Sequence, residues 1–213
     1  MSTRGESKVS RICKELDEMV DQFRNRPLQE SYPYVWLDTL YIKVVQNHQV
    51  VRLALVTAVG VDESRKRHLL GFDLGGSGDE AFWLEFLRSL VRRGMKDVKL
   101  VISDANEGVK KALSKVFLGA SWQRCRVHFM RNLLARTPHG DKAAVAEAVR
   151  FIFKQPNHQS AVYRLRELVQ VLDKTYPDAA KGGRTGYPGL LETIPKEHWR
   201  RIHSTNRVER INK

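Results

Sequence analysis

The stretch Val98–Gly108, with the sequence VKLVISDANEG, decides the expected fold, because an apolar run ends there abruptly on Asp104. A short β-branched run that stops at polar residues is typical of a buried parallel strand. In open α/β sheets, ligands bind beyond the carboxyl ends of such strands. Asp104 is therefore a candidate ligand-binding carboxylate. The alternative is that Asp104 caps a helix beginning near Asn106, since aspartate is a good N-cap residue.

The segments before this strand predict an antiparallel half of the same sheet. Residues 34–45 and 50–61 are rich in β-branched and aromatic side chains and flank a polar turn, which predicts a hairpin; residues 68–74 add a third strand. Helix, strand, helix and strand follow, so we expect an α/β fold with a mixed sheet and flanking helices. The first strand can then lie beside the strand that ends at Asp104. It contains Asp38, whose burial requires a compensating cation.

Helix signals surround this core. Residues 8–26 have apolar side chains at helical spacing and predict an exposed packing helix. Ser77 and Glu80 form a capping-box pattern, which predicts that Ser77 opens the first helix of the core. Residues 141–176 predict two helices, whereas the Gly- and Pro-rich residues 177–195 predict a loop.

The charge balance predicts an anionic partner. A formal net charge of +13 in 213 residues exceeds what solubility requires and favours nucleic acid. No apolar run is long enough to cross a membrane, and the amino terminus lacks the apolar core of a signal peptide. Two cysteines give no disulfide framework. We therefore expect a cytoplasmic, nucleoid-associated protein with no membrane partner.

Three acidic residues are candidate metal ligands: Asp38, Asp104 and Glu209. Carboxylates on neighbouring strands, with a third on an adjacent helix, can bind one or two divalent ions and leave positions for water and phosphate oxygens. Two ions about 4 Å apart stabilise both the attacking and the leaving oxygen in phosphoryl transfer. Carboxylates gathered this closely repel each other without a metal. The spacing is equally compatible with three separate structural acids.

Five motifs make the chain resemble the mutator-type transposases of bacterial insertion sequences. They are Trp36–Lys43 (WLDTLYIK), Gly78–Trp83 (GDEAFW), Ile102–Gly108 (ISDANEG), Trp122–His128 (WQRCRVH) and Ser204–Asn212 (STNRVERIN). The catalytic domain of that family has a ribonuclease-H-like fold with an Asp-Asp-Glu triad. The resemblance implies that Asp38, Asp104 and Glu209 are the catalytic acids, which hold Mg²⁺ or Mn²⁺, with two ions expected.

The resemblance also implies a function. It predicts a DNA transposase that performs metal-dependent strand cleavage and strand transfer during transposition of an insertion sequence. Its partners are then the double-stranded DNA of transposon ends and target, and further copies of itself in a homo-oligomer. We expect a chain truncated at both ends, so the alternative is an inactive remnant that binds DNA or intact transposase. A ribonuclease acting on RNA–DNA hybrids is a third possibility, disfavoured by the transposase motifs.

By the same resemblance the chain has four segments. Residues 1–27 are the remnant of a DNA-binding region, and residues 28–135 form the first part of the ribonuclease-H-like core. Residues 136–195 are an α-helical insertion with a loop before the last catalytic helix. Residues 196–213 return to the core with the helix that carries Glu209.

Two further groups of residues belong to these motifs. Cys125 and His128 match the Cys-x-x-His motif of the family and can share a metal, but two ligands make no closed zinc site. We favour packing and hydrogen bonding that hold the insertion near the active site. Guanidinium groups bind phosphates bidentately, so arginines near the later motifs are candidate DNA contacts, and the alternative for each is a solvated surface charge. These arginines are Arg124, Arg126, Arg131, Arg200, Arg201, Arg207 and Arg210.

Overall fold

A computed structural model of the chain describes residues 8–46, 48–75 and 79–184. Its helices and strands, in chain order, are α1 (Lys8–Asn25), β1 (Tyr34–Gln46), β2 (Gln49–Val61), β3 (Arg67–Gly75), α2 (Glu80–Arg92), β4 (Leu100–Ser103), α3 (Glu107–Val116), β5 (Ser121–Arg124), α4 (Arg126–Ala135), α5 (Lys142–Phe153), α6 (His158–Thr175) and α7 (Pro177–Arg184). Among the helices of these described ranges, none has the length and apolar character needed to cross a membrane.

The five strands form one mixed sheet in the order β3-β2-β1-β4-β5. β1 lies at the centre, antiparallel to β2 and parallel to β4. β2 and β3 are antiparallel, and β4 and β5 are parallel. The predicted α/β architecture with a mixed sheet and flanking helices is therefore confirmed.

The sheet buries a different set of side chains on each face, because successive residues of a strand point in opposite directions. On one face, Val35, Leu37 and Val101 pack beneath α2 and α3 in the larger core. On the other face, Trp36 and Ile102 belong to a smaller cluster with Val59, Leu100 and Cys125. Trp36 lies directly opposite Ile102 in the parallel ladder.

Helices α4 to α7 share a third core, built on Phe129 and Leu133 of α4. The expectation of a loop at residues 177–195 is wrong where the structure describes it, since α7 occupies Pro177–Arg184. A Cβ added at Gly183 would lie 2.7 Å from Val169 Cγ2, so this glycine permits close packing on α6. Glycine has low intrinsic helix propensity, and tertiary packing overrides it here.

The start of α2 differs from the capping-box expectation. Asp79 is the N-cap residue, and its carboxylate accepts a hydrogen bond from the amide of Ala81 at 2.9 Å. Ser77 lies outside the described residues. Aspartate satisfies a helix N-terminus as well as serine does, and the cap lies two residues later than the predicted Ser77.

Candidate active site

Asp38 lies within β1, and Asp104 directly follows Ser103, the last residue of the neighbouring parallel strand β4. The last pair of the ladder between these strands is Trp36 with Ile102, and extending this register by two residues sets Asp38 level with Asp104. Side chains two residues apart in a strand share a face. We therefore assign both carboxylates to the face of the sheet that carries Trp36, Ile102 and Cys125, at the carboxyl end of β4.

The local structure after β4 decides between the two interpretations of Asp104. Asn106 is the N-cap of α3, and its side chain accepts hydrogen bonds from the amides of Gly108 at 2.8 Å and Val109 at 3.3 Å. The alternative in which Asp104 caps this helix is thus wrong. One carboxylate oxygen of Asp104 accepts a hydrogen bond from the amide of Ala105 at 2.7 Å. This bond orients the carboxylate at the strand end.

His128 is the basic neighbour of the buried Asp38. Its Nε2 lies 3.7 Å from Asp38 Oδ1, and Asp38 is only 6% exposed. His128 is in the first turn of α4, which follows directly from β5. The amide of Cys125 donates to the Ser103 carbonyl at 2.7 Å, which fixes the start of α4 against the end of β4.

The surroundings of His128 favour its charged form. Burial lowers the pKa of His128, but a hydrogen bond with Cys125 and the negative charges of Asp104 and Asp38 raise it by more. The pKa therefore lies above its ordinary value. An imidazolium at this position offsets the repulsion between the two aspartates.

Arg124 connects this face of the sheet to the helices that follow. It is 2% exposed, and its Nη1 donates to the carbonyl of Gly182 in α7 at 2.9 Å. Its guanidinium carbon lies 4.9 Å from the centroid of the Phe129 ring. Burial lowers the pKa of Arg124, and the charge of Asp104 raises it. The expectation that Arg124 contacts phosphate on the surface is wrong, because this side chain is in the interior.

Comparison with known proteins identifies the relatives of this arrangement. The model of the family described as "Transposase, Mutator family" matches residues 2–213. The chain belongs to the Mutator family of transposases. The predicted resemblance to mutator-type transposases is confirmed.

Several curated Mutator-family relatives match nearly the whole chain. The transposase for insertion sequence element IS1081 of Mycobacterium tuberculosis is 38% identical over 97% of this chain and 51% of its own length. The transposase for IS406 of Burkholderia multivorans is 37% identical over 97% of this chain and 54% of its own length. The transposase for IS256 in Tn4001 of Staphylococcus aureus is 34% identical over 96% of this chain and 53% of its own length. The chain spans about half the length of the curated relatives it matches.

A solved structure also aligns with this Mutator-family chain. It is a chain of the simian T-cell lymphotropic virus intasome in complex with PP2A regulatory subunit B56 gamma, aligned over 85% of this chain and 62% of its own. The TM-score is 0.29 and the sequence identity is 11%, values that carry no argument about the fold.

The structure brings together four of the residues singled out from the Mutator-family motifs. Asp38, Asp104, Cys125 and His128 lie on one face of the sheet. Three others, Glu209, Arg207 and Arg210, lie outside the described residues.

Two of the predicted DNA contacts lie on α4. The guanidinium carbon of Arg126 lies 4.5 Å from the centroid of Phe153 on α5, so this arginine contacts the helical core. Arg131 is exposed. Both stay predictions as DNA contacts.

The sequence interpretation missed a second polar cluster, at the opposite end of the sheet. Glu30, Asp62 and His68 have oxygen and nitrogen atoms within 4.8 Å of one another. Asp62 follows the last residue of β2, Val61, which pairs with the first residue of β1. Within the described ranges, this is the one group of three such side chains spaced for a metal ion, and it includes neither Asp38 nor Asp104.

The hydrogen bonds of Asp62 indicate that this second cluster stabilises the turn between β2 and β3. Asp62 accepts hydrogen bonds from Ser64 Oγ at 2.7 Å and the Lys66 amide at 2.8 Å, and lies 2.7 Å from His68 Nε2. Burial raises the pKa of Asp62, but these bonds and a bond with Glu30 lower it well below its usual range. The signal was present in the sequence as an aspartate that opens the β2–β3 turn.

Proposed function

We propose that the chain carries the catalytic acids of a DNA transposase, which performs metal-dependent strand cleavage and strand transfer during transposition of an insertion sequence. The observation that carries this proposal is that Asp38 of β1 and Asp104, which directly follows the parallel strand β4, both act on His128, in a chain of the Mutator family. A mixed sheet of three antiparallel strands followed by two parallel strands supports a ribonuclease-H-like core, and we propose that fold for residues 28–135.

The donor set fits a hard divalent cation. Two carboxylates converge on one face of the sheet, and carboxylate oxygens are the ligands that Mg²⁺ and Mn²⁺ prefer. Asp38 and Asp104 would hold the metal, with Glu209 of the motif Ser204–Asn212 as the third acid, and we propose two ions. The metal supplies activation of the attacking water and stabilisation of the leaving oxygen.

The side chains around the acids have positioning roles in this proposal. His128 orients Asp38 and balances its charge, as outer-shell partners of metal ligands do. Cys125 is fully buried beneath β4 and anchors the turn that delivers His128. This supports hydrogen bonding and packing as the role of the Cys-x-x-His motif. Arg124 holds α7, and with it the proposed insertion of residues 136–195, against the sheet.

Double-stranded DNA is the proposed partner. The net charge of +13 favours a polyanion, and Arg126, Arg131, Arg207 and Arg210 are the proposed backbone contacts. We also propose assembly into a homo-oligomer on DNA and association with the nucleoid. In this arrangement residues 1–27 precede the core, and residues 196–213 return to it with Glu209.

Strand cleavage tests the proposal directly. The chain is incubated with a duplex that contains the DNA flanking its reading frame, with Mg²⁺, Mn²⁺ or EDTA, and nicks are mapped on a sequencing gel. We expect nicks with 3′ hydroxyl ends that require the metal and disappear in the variants D38N and D104N. The matched control is D73N, an aspartate on β3 whose carboxylate pairs with Arg24.

Two results would count against the catalytic assignment. Binding of the duplex in a mobility-shift assay, without any nicking in Mg²⁺ or Mn²⁺, would favour the remnant that only binds DNA. Cleavage of an RNA–DNA hybrid in place of the DNA duplex would favour a ribonuclease.

A further inference from the structure

Helix α1 presents an apolar stripe along most of its length. Val9, Ile12, Leu16 and Met19 repeat at alternating spacings of three and four, and Val20 extends the stripe. All five are exposed in the part of the chain that the structure describes, and α1 has no buried residue there. A three-four repeat of apolar residues is the pattern of a helix that packs against another helix.

The last turns of α1 are attached to the sheet. The ring of Phe23 stacks on Phe72 of β3 with centroids 5.6 Å apart, and Arg24 pairs with Asp73. The guanidinium of Arg93 donates to the carbonyl oxygens of Phe23 at 3.3 Å and Arg26 at 2.9 Å. These contacts fix the direction of α1, and among the described residues the stripe upstream of Phe23 is exposed.

The apolar stripe of α1 is flanked by two segments of opposite charge. Residues 8–14 carry Lys8, Arg11 and Lys14 and no acid. Residues 15–21 carry four acids and no base: Glu15, Asp17, Glu18 and Asp21. Arg24, beyond the stripe, pairs with Asp73 of β3. The sign changes between Lys14 and Glu15, close to the middle of the apolar stripe.

We propose that α1 is a dimerisation helix, which pairs antiparallel with α1 of a second copy of this chain. An isologous interface must be complementary to itself under two-fold rotation. Antiparallel pairing about the Lys14–Glu15 boundary places each basic segment against an acidic segment, whereas parallel pairing opposes like charges. The two apolar stripes then form a common seam. This proposal is independent of catalysis, because association is measured without DNA.

The first test is the oligomeric state of the full chain. Sedimentation velocity over a concentration series gives the dissociation constant of the dimer. We expect L16E to weaken the dimer by at least about tenfold, because it introduces a charge into the seam. The matched control is V171E on α6, since Val171 is 60% exposed and Leu16 is 54% exposed. Thermal melting of both variants verifies that they are folded.

Charge variants test the self-complementarity. The variant K8E/R11E/K14E has only acidic residues among the charged positions of residues 8–21, and E15K/D17K/E18K/D21K has only basic ones there. We expect each to be monomeric alone and the equimolar mixture to form a heterodimer. This rescue on mixing distinguishes an interface between helices from a loss of folding.

Cross-linking tests the direction of pairing. Cys13 lies beside the proposed two-fold axis, and Cys125 is buried, so a short bis-maleimide reacts at Cys13 and yields a covalent dimer. The variant V9C/C13S moves the thiol from position 13 to position 9. In an antiparallel pair the two new thiols are about 16 Å apart along the helix axes, at a rise of 1.5 Å per residue. A linker shorter than this distance should therefore fail to join them. Efficient cross-linking of V9C/C13S would overturn the antiparallel arrangement.

Two further results would overturn the proposal. One is a wild-type chain that stays monomeric throughout the concentration series, as expected if residues 185–213 of the same chain cover the stripe. The other is a dimer that L16E and the charge variants leave as tight as wild type, which would assign dimerisation to another surface.

Discussion

The two ends of the sheet each bury an aspartate beside a histidine, but the two aspartates have different surroundings. Asp62 accepts two short hydrogen bonds within its turn and lies 2.7 Å from His68 Nε2. Asp38 lies level with a second aspartate, Asp104, and 3.7 Å from His128 Nε2. The first arrangement stabilises the fold, because the carboxylate of Asp62 accepts hydrogen bonds from donors of its own turn. The second gathers like charge, which costs folding energy and suits a cation.

This contrast gives a rule for separating structural from functional acids in the molecule. A buried carboxylate whose donors come from its own turn lowers the energy of the folded state when it is charged. A buried carboxylate such as Asp38, with the second carboxylate of Asp104 near it, raises that energy unless a cation is bound. Substitution should therefore affect stability at the Asp62 end and activity at the Asp38 end.

The largest expected effect is the loss of strand cleavage in D38N or D104N. Each substitution removes a proposed metal ligand and reduces cleavage to the background of the EDTA reaction. The same substitutions remove one of two like charges, so the melting temperature should equal or exceed that of wild type. A gel-based nicking assay and a thermal melt on the same preparation measure both. Retained cleavage in either variant would contradict the role of Asp38 and Asp104.

A smaller effect on activity is expected from H128A. Loss of a partner that orients a metal ligand reduces metal affinity or activity by about 10- to 100-fold. The nicking rate, measured as a function of Mn²⁺ concentration, separates a loss of metal affinity from a loss of the maximal rate. H68A is the matched histidine at the other end of the sheet, and its nicking rate should be that of wild type. Equal losses in H128A and H68A would remove the distinction between the two ends.

D62N reverses the pattern expected for D38N. It leaves the Ser64 hydroxyl and the Lys66 amide with a poorer acceptor, so the melting temperature should fall. Cleavage at a temperature where D62N is folded should match wild type. A nicking defect in folded D62N would contradict the structural role of this end.

The smallest effect is a difference in acid stability. The folded-state pKa of Asp62 is lowered, so its contribution to stability is complete above its ordinary pKa of about 3.9 and is lost as the pH falls below that value. Wild type should therefore lose its stability advantage over D62N between about pH 4 and pH 2. Urea unfolding of both proteins across this range gives the difference. A constant advantage down to pH 2 would exclude titration of Asp62 as its source.

The sequence predicted the elements that position the acids. β-branched runs at residues 34–45, 50–61 and 98–103 predict strands, and an apolar run that stops on Asp104 predicts the carboxyl edge of a sheet. The parallel pairing of β1 with β4 sets Asp38 level with Asp104, and only the structure supplies that register.

Features that depend on distant packing were not predictable. The glycines of α7 indicate a loop by propensity, yet Gly183 packs against Val169 of α6. Aspartate and asparagine are almost equal as caps, so the pattern alone did not separate Asp104 from Asn106. An arginine next to a motif is expected on the surface, yet the Arg124 side chain is buried and donates a hydrogen bond to the Gly182 carbonyl. The catalytic role of Asp38, Asp104 and Glu209 stays a prediction.

The central position of β1 has a consequence for the order of folding. β1, β2 and β3 are contiguous and connected by short turns, so this meander closes only short loops as it forms. The parallel ladder between β1 and β4 joins residues far apart in the chain and is slower to form. We therefore expect Asp38 to be in place before Asp104 docks beside it. In that order, charge repulsion between the two carboxylates arises only after the apolar contacts around β1 have begun to assemble.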